Sequence, residues 1–91
     1  MDSIKLIAFE HFGATRLLLR FSDDSWGIYD LAAFIAANTE MTSALKDPAY
    51  FQRCFIEMGA LAWPNGFDLS AESLQRTLSL VGELHRDAQA A

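Results

Sequence analysis

The sequence predicts an α+β fold: one mainly antiparallel sheet of about five strands with a short middle helix and a longer C-terminal helix. Three observations carry this. Apolar and polar residues alternate through residues 15–21, short Gly- and Asp-containing reversals separate the early apolar runs, and after Ser70 the leucines return at helical spacing.

Residues 3–9 read as a first strand, and Glu10-His11-Phe12-Gly13 supplies a reversal into a second at 15–21. In that second strand Leu17, Leu19 and Phe21 share one face and Arg16 and Arg20 take the other, where Leu18 interrupts the polar row. The polar loop Ser22-Asp23-Asp24-Ser25 leads to a third strand at 26–29. Asp30 then caps a helix over 31–37, with Leu31, Phe34 and Ile35 on one face and Asn38 as its stop. Asp47-Pro48 is a second helix start, because proline at the first helical position gives up an amide that would lack a partner anyway. Tyr50 and Phe51 follow in that short turn. Residues 52–58 and 60–63 form a hairpin about Gly59, so that five strands share one sheet whose apolar face the helices cover.

The chain then enters Trp63-Pro64-Asn65-Gly66 and leaves through Phe67-Asp68-Leu69 as a further short strand. Pro64 presets φ at the first central position of a turn, Asn65 tolerates the second, and Gly66 allows an exit geometry that a Cβ would resist. Trp63 is thereby held at the turn's edge and is expected to be buried. Ser70 caps the last helix, expected over 71–86, with Glu72 and Arg86 complementing the macrodipole at its two ends. Leu74, Leu78, Val81 and Leu84 form its stripe, and Leu80 widens the apolar face beyond what one sheet needs to cover.

Ninety-one residues are read as a single domain, 1–91, in which a hydrophobic fraction of 52% and a charged fraction of 21% indicate a folded chain. A chain this short leaves little core for an enclosed site. Twelve acidic against seven basic residues give a net charge of −5, which opposes the phosphate neutralisation behind nucleic-acid affinity. No direct nucleic-acid partner is expected. The single Cys54 excludes an internal disulfide framework, no apolar run approaches the ~20 residues of a membrane span, and the N-terminus does not read as a signal peptide. A cytoplasmic protein with no membrane partner is the expectation.

The candidate chemistry is sparse. His11 and His85 stand at opposite ends of the chain without ligand-spaced neighbours, so neither a metal nor a cofactor is expected. Cys54 falls in a strand, where a small buried side chain is the usual fate. Asp23 and Asp24 are adjacent carboxylates, but a hairpin loop explains them without acid–base work. No catalytic residue is assigned and enzymatic activity is not expected. Trp26 and Tyr29 take opposite faces of one strand, which leaves one of them exposed. Together with Leu74, Leu78, Leu80 and Leu84 they are the candidate contacts for a protein partner or a homodimer.

Leu19-Arg20-Phe21-Ser22-Asp23, Gly27-Ile28-Tyr29-Asp30-Leu31, Leu45-Lys46-Asp47-Pro48-Ala49-Tyr50-Phe51 and Trp63-Pro64-Asn65-Gly66-Phe67-Asp68-Leu69, in this order and spacing, resemble the bacterial family of domain of unknown function (DUF) 2442. The resemblance covers almost the whole chain, and its last block is the most specific. It implies an α+β domain without established catalytic residues, in which Asp30, Asp47, Pro48, Trp63, Pro64, Asn65, Gly66 and Asp68 form the structural motif. One departure is Asp24, where the family's hairpin usually has Gly, since Asp reaches a positive φ less easily. The superfamily includes an N-terminal domain of some helix-turn-helix proteins, and some relatives look like partners encoded beside toxin-like proteins. The resemblance therefore implies a protein-interaction or regulatory module, antitoxin-like in character. The alternative is a small sensor that holds a ligand on its sheet face near Trp26, Tyr29 or Trp63.

Overall fold

The computed structural model describes residues 4–37, 39–40 and 42–86. Ser3 and Asn38, expected to open the first strand and to stop the first helix, lie outside the described residues. The architecture is α+β with antiparallel pairing throughout, but the strands divide between two sheets where the sequence suggested one. Strands β1 (Leu6–His11), β2 (Arg16–Phe21) and β3 (Ser25–Asp30) form a meander, and β7 (His85–Arg86) joins at its far edge. Strands β4 (Phe55–Glu57), β5 (Ala60–Ala62) and β6 (Asp68–Leu69) make a second, smaller sheet. The expected strands at 52–58 and 60–63 are thus shorter, three residues each, and pair with each other, β5 also with β6, instead of extending the meander.

The reason for the division lies between the sheets. After β3 the chain spends its next segment in helix α1 (Ala32–Ala37), a 3-10 turn (Ser43–Lys46) and helix α2 (Pro48–Phe51), and returns beside β1. The junction is a hydrogen bond from Leu6 N–H to Gly59 C=O at 2.8 Å, next to a β-bulge that shifts the β1 register between Leu6 and Ala8. The Lys5 side chain packs against Gly59, where a Cβ would come within 2.9 Å of it. A bulge re-aims a strand and interrupts its ladder, so the second hairpin touches β1 at its tip without continuing the sheet.

That tip joins β4 to β5 through Met58 (φ +52) and Gly59 (φ +81), two central residues both in the left-handed region, as a two-residue hairpin turn of the twist-compatible kind requires. Gly adopts this freely, whereas Met pays a steric penalty that Asn largely avoids. Met58 is 94% exposed and packs against nothing that a change would disturb. Met58→Asn is therefore expected to raise stability by about 0.5–1 kcal/mol, read as a higher urea midpoint at unchanged slope.

One core fills the space between the sheets and helices. Leu17, Leu19 and Phe21 are buried on the inner face of β2, as the alternation predicted, and meet Leu6, Tyr29, Leu31, Leu61 and Trp63. Helix α3 (Ala71–Leu80) closes this core with Ala71, Leu74 and Leu78. Ser70 caps it, its hydroxyl accepting from Ser73 N–H at 3.1 Å, and Glu72 lies in the first turn. The helix does not run to Arg86 as expected. Gly82 (φ +74) donates to Ser79 C=O and Glu83 N–H to Leu78 C=O, the paired bonds of a Schellman C-terminus, and this turns the chain out of the helix into β7.

Candidate functional site

The turn motif is built as its residues imply. Gly66 N–H donates to Trp63 C=O at 3.0 Å, with Pro64 and Asn65 between them and Gly66 at φ +95. Asn65 Oδ1 accepts from Phe67 N–H, and Asn65 N–H donates to the Tyr50 hydroxyl at 2.8 Å, which ties the turn to α2. Asp68 stands exposed at the start of β6, opposite Ala62. Trp63 is buried and donates from Nε1 to Phe51 C=O at 3.0 Å. Its ring packs between Phe51 and Phe67, and the series extends through His11 to Phe9 on one side and to Phe34 on the other. These aromatic contacts reach from β1 to α1. The motif therefore serves the core.

Both Asp caps are formed. Asp47 Oδ1 accepts from Ala49 N–H at 3.0 Å, with Pro48 at the first position of α2. Asp30 Oδ1 accepts from Ala32 N–H at 2.9 Å and from the Thr15 hydroxyl at 2.8 Å, and these bonds lower the Asp30 pKa from its ordinary value.

The adjacent carboxylates of the β2–β3 loop take different parts. Asp24 occupies a left-handed position (φ +70), a conformation that glycine adopts more easily, at the end of a turn closed by Asp24 N–H to Phe21 C=O. Asp23 is the hub of a polar network. Its Oδ1 accepts from the Ser25 hydroxyl and amide, and its Oδ2 from Gln75 Nε2 at 2.9 Å and Arg86 at 3.0 Å. Burial pushes the carboxyl up, but the bonds from Ser25, Arg86 and Gln75 outweigh it and hold the group well below the ordinary 3.8. A carboxyl whose folded-state pKa is depressed stabilises the fold fully above its unfolded pKa and loses that contribution as pH falls. Wild-type stability is thus expected to fall more steeply than that of Asp23→Asn between about pH 5 and pH 2, measured by urea melts across that range.

Cys54 and His11, far apart in sequence, meet with Sγ and Nε2 4.0 Å apart. Burial pushes the Cys54 thiol up to about 11. It is a protonated core group at neutral pH and not a poised nucleophile. Among the described residues no group of three or more His, Cys, Asp and Glu side chains is arranged to hold a metal ion.

The interface candidates separate into two sets. Tyr29, Leu74 and Leu78, expected as partner contacts, are instead interior and packed in the core of their own chain. Leu84 is half-buried against the same core. Trp26 remains partly exposed on the outer face of β3, with the His85 ring 4.6 Å away and the Arg20 guanidinium 6.0 Å from its centre. Leu80 is 80% exposed and its neighbour Val81 62%.

Sequence reasoning did not foresee the cleft beside Val81. A cavity of about 450 Å³ opens where β3 meets the ends of two helices. Ile28, Tyr29 and Asp30 of β3 line one side, Ala33 and Phe34 of α1 a second, and Thr77, Leu78 and Val81 a third, with Arg16 and Glu83 completing it. Leu80 and Val81 stand between this cleft and a shallower depression that Leu80, Leu84 and Arg76 help to line. The only sequence signals were Gly82, which ends α3 at this point, and the polar–apolar mixture of Ile28-Tyr29-Asp30.

The fold and this surface define a small α+β domain with an open cleft and an apolar step beside it. The family described as protein of unknown function (DUF2442) matches residues 6–77, and the chain belongs to it. No curated protein and no solved structure matches the chain. No helix among the described residues is long and apolar enough to cross a membrane.

Proposed function

We propose that the protein is a non-enzymatic protein-interaction or regulatory module. The observation that carries this is the apolar step of Leu80 and Val81, which project into solvent at the end of α3 between two depressions. A large apolar side chain on its own is ordinary at a surface, but adjacent ones at the rim of a partly apolar cleft support a surface that another chain covers. Leu80 contributes little to its own core, so it can be changed without disturbing the fold.

Light scattering and copurification from the native host test this. A homodimer or a stoichiometric complex is expected, and Leu80→Glu should disperse it while thermal melts of the isolated chain stay unchanged, since the new charge is solvated only when the partner is absent. A wild-type chain that is monomeric and captures no protein would overturn the interaction reading. The second reading, a sensor for a small ligand, is supported by the cleft volume, which falls within the usual range for such ligands, and by Tyr29 in its lining.

A further inference from the structure

We propose that the cleft takes an extended peptide segment of a partner protein, apolar and basic in composition, which adds to β3 as a strand alongside Ile28 and Asp30. This rests on the interaction reading and names where and how the partner binds.

The argument begins with register. β2 and β3 pair with Leu17 opposite Tyr29 and Leu18 opposite Ile28, and Leu31 N–H donates to Thr15 C=O in the same register. Backbone groups of successive strand residues point to opposite edges. Leu31, Tyr29 and Gly27 therefore turn towards β2, while Trp26, Ile28 and Asp30 turn their N–H and C=O groups away from it. On that far edge β7 pairs with β3 only at Ser25 and Trp26. The chain leaves the edge before Ile28, because Glu83 is bound back to Leu78 and its carbonyl lies over Gly27, 2.6 Å from where a Cβ would stand. The edge at Ile28 and Asp30 thus faces the cleft with no strand of the described residues beside it.

Such an edge has a preferred occupant. Its donor and acceptor groups repeat every second residue, about 6.8 Å apart, which is the spacing an antiparallel strand presents and a compact ligand does not. The apolar walls formed by Phe34 and Val81, with the buried Leu78 beneath them, would take alternate side chains of that strand. Charge selects further. Arg16 and Asp30 both line the cleft and offset one another, whereas Glu83 adds a second carboxylate to the cleft of a chain whose net charge is −5. A basic residue on the incoming strand complements it.

The test titrates the full chain with two synthetic octapeptides, one alternating Val and Lys and one alternating Val and Glu, while amide exchange is followed by NMR. The Val–Lys peptide is expected to bind and to slow exchange at the Ile28 and Asp30 amides at least tenfold. Ala33→Trp, which fills the cleft from an exposed position on α1, should abolish this with an unchanged melt. Alternate N-methylation of the peptide should abolish it too. Failure of the Val–Lys peptide to bind at millimolar concentration, binding without protection of those two amides, or equal binding of the Val–Glu peptide would overturn the proposal. Protection already present in the free protein and rising with its concentration would also overturn it and give the edge to a second copy of the chain. Loss of a native complex on Leu80→Glu together with an unbound Val–Lys peptide would leave the interaction reading standing and remove strand addition alone.

Discussion

Replacing Trp63 by alanine is expected to cost about 3–5 kcal/mol, the range for emptying a large aromatic site in a core that closes only partly around the cavity. Trp63 is 1% exposed, it touches both Phe51 and Phe67, and its indole N–H holds the end of α2 through Phe51 C=O. Two losses are therefore combined. Trp63→Phe separates them, since it keeps much of the ring packing and leaves a buried carbonyl without its donor, at a cost of about 1–3 kcal/mol. Urea denaturation of the two variants checks both figures. A Trp63→Ala protein within about 1 kcal/mol of wild type would mean that the motif does not anchor the core.

Gly27→Ala is expected to cost about 1–3 kcal/mol although alanine suits a strand better than glycine does. The added methyl would lie 2.6 Å from Glu83 C=O and 2.9 Å from a Leu78 methyl carbon. A backbone carbonyl cannot rotate aside as the end of a flexible side chain can. The Schellman turn and β7 must move together, which weakens the pairing of Trp26 with His85. Hydrogen exchange should register this as faster exchange in β7 and at the end of α3, with β1 and β2 protected as before.

What the sequence disclosed is local chemistry. The Pro64-Asn65-Gly66 turn, the caps at Asp30, Asp47 and Ser70, and the alternation of Leu17, Leu19 and Phe21 each depend on residues within a few positions of one another. The division into two sheets does not. Period-two alternation marks a strand without naming its neighbour, and here the pairing was decided by the bulge at β1 and by the helical segment between β3 and β4. The overlong last helix has a sharper lesson. Leucine spacing continued past Leu80, but Gly82 could adopt the left-handed conformation that satisfies two helix-end carbonyls, and that local gain ended the helix.

The same limit explains the candidate site. Tyr29, one of an opposed pair with Trp26, and Leu74 and Leu78, in the stripe of a wide apolar helix face, stay candidates for a contact until their own core is known, and they are among the residues that fill it. The cleft assembles from β2, β3, α1 and the end of α3, and the Asp23 network joins residues more than fifty positions apart, Gln75 and Arg86 included. Neither has a short-range signature. Leu80 is exposed, which follows from where the helix stops and which face it presents.

The two tryptophans give the molecule a pair of built-in optical probes. Trp63 sits in the interior beside the smaller sheet, and Trp26 sits half in water on the outer face of the larger one against His85. Their emission responds to different surroundings, so a chain keeping only Trp26, through Trp63→Phe, reports the larger sheet, and one keeping only Trp63, through Trp26→Phe, reports the smaller. Within either variant, tryptophan fluorescence and far-UV circular dichroism curves that coincide would establish that sheets joined at the tip of one hairpin melt as a single cooperative unit. Curves that separate would identify the junction at Leu6 and Gly59 as the seam along which the domain opens.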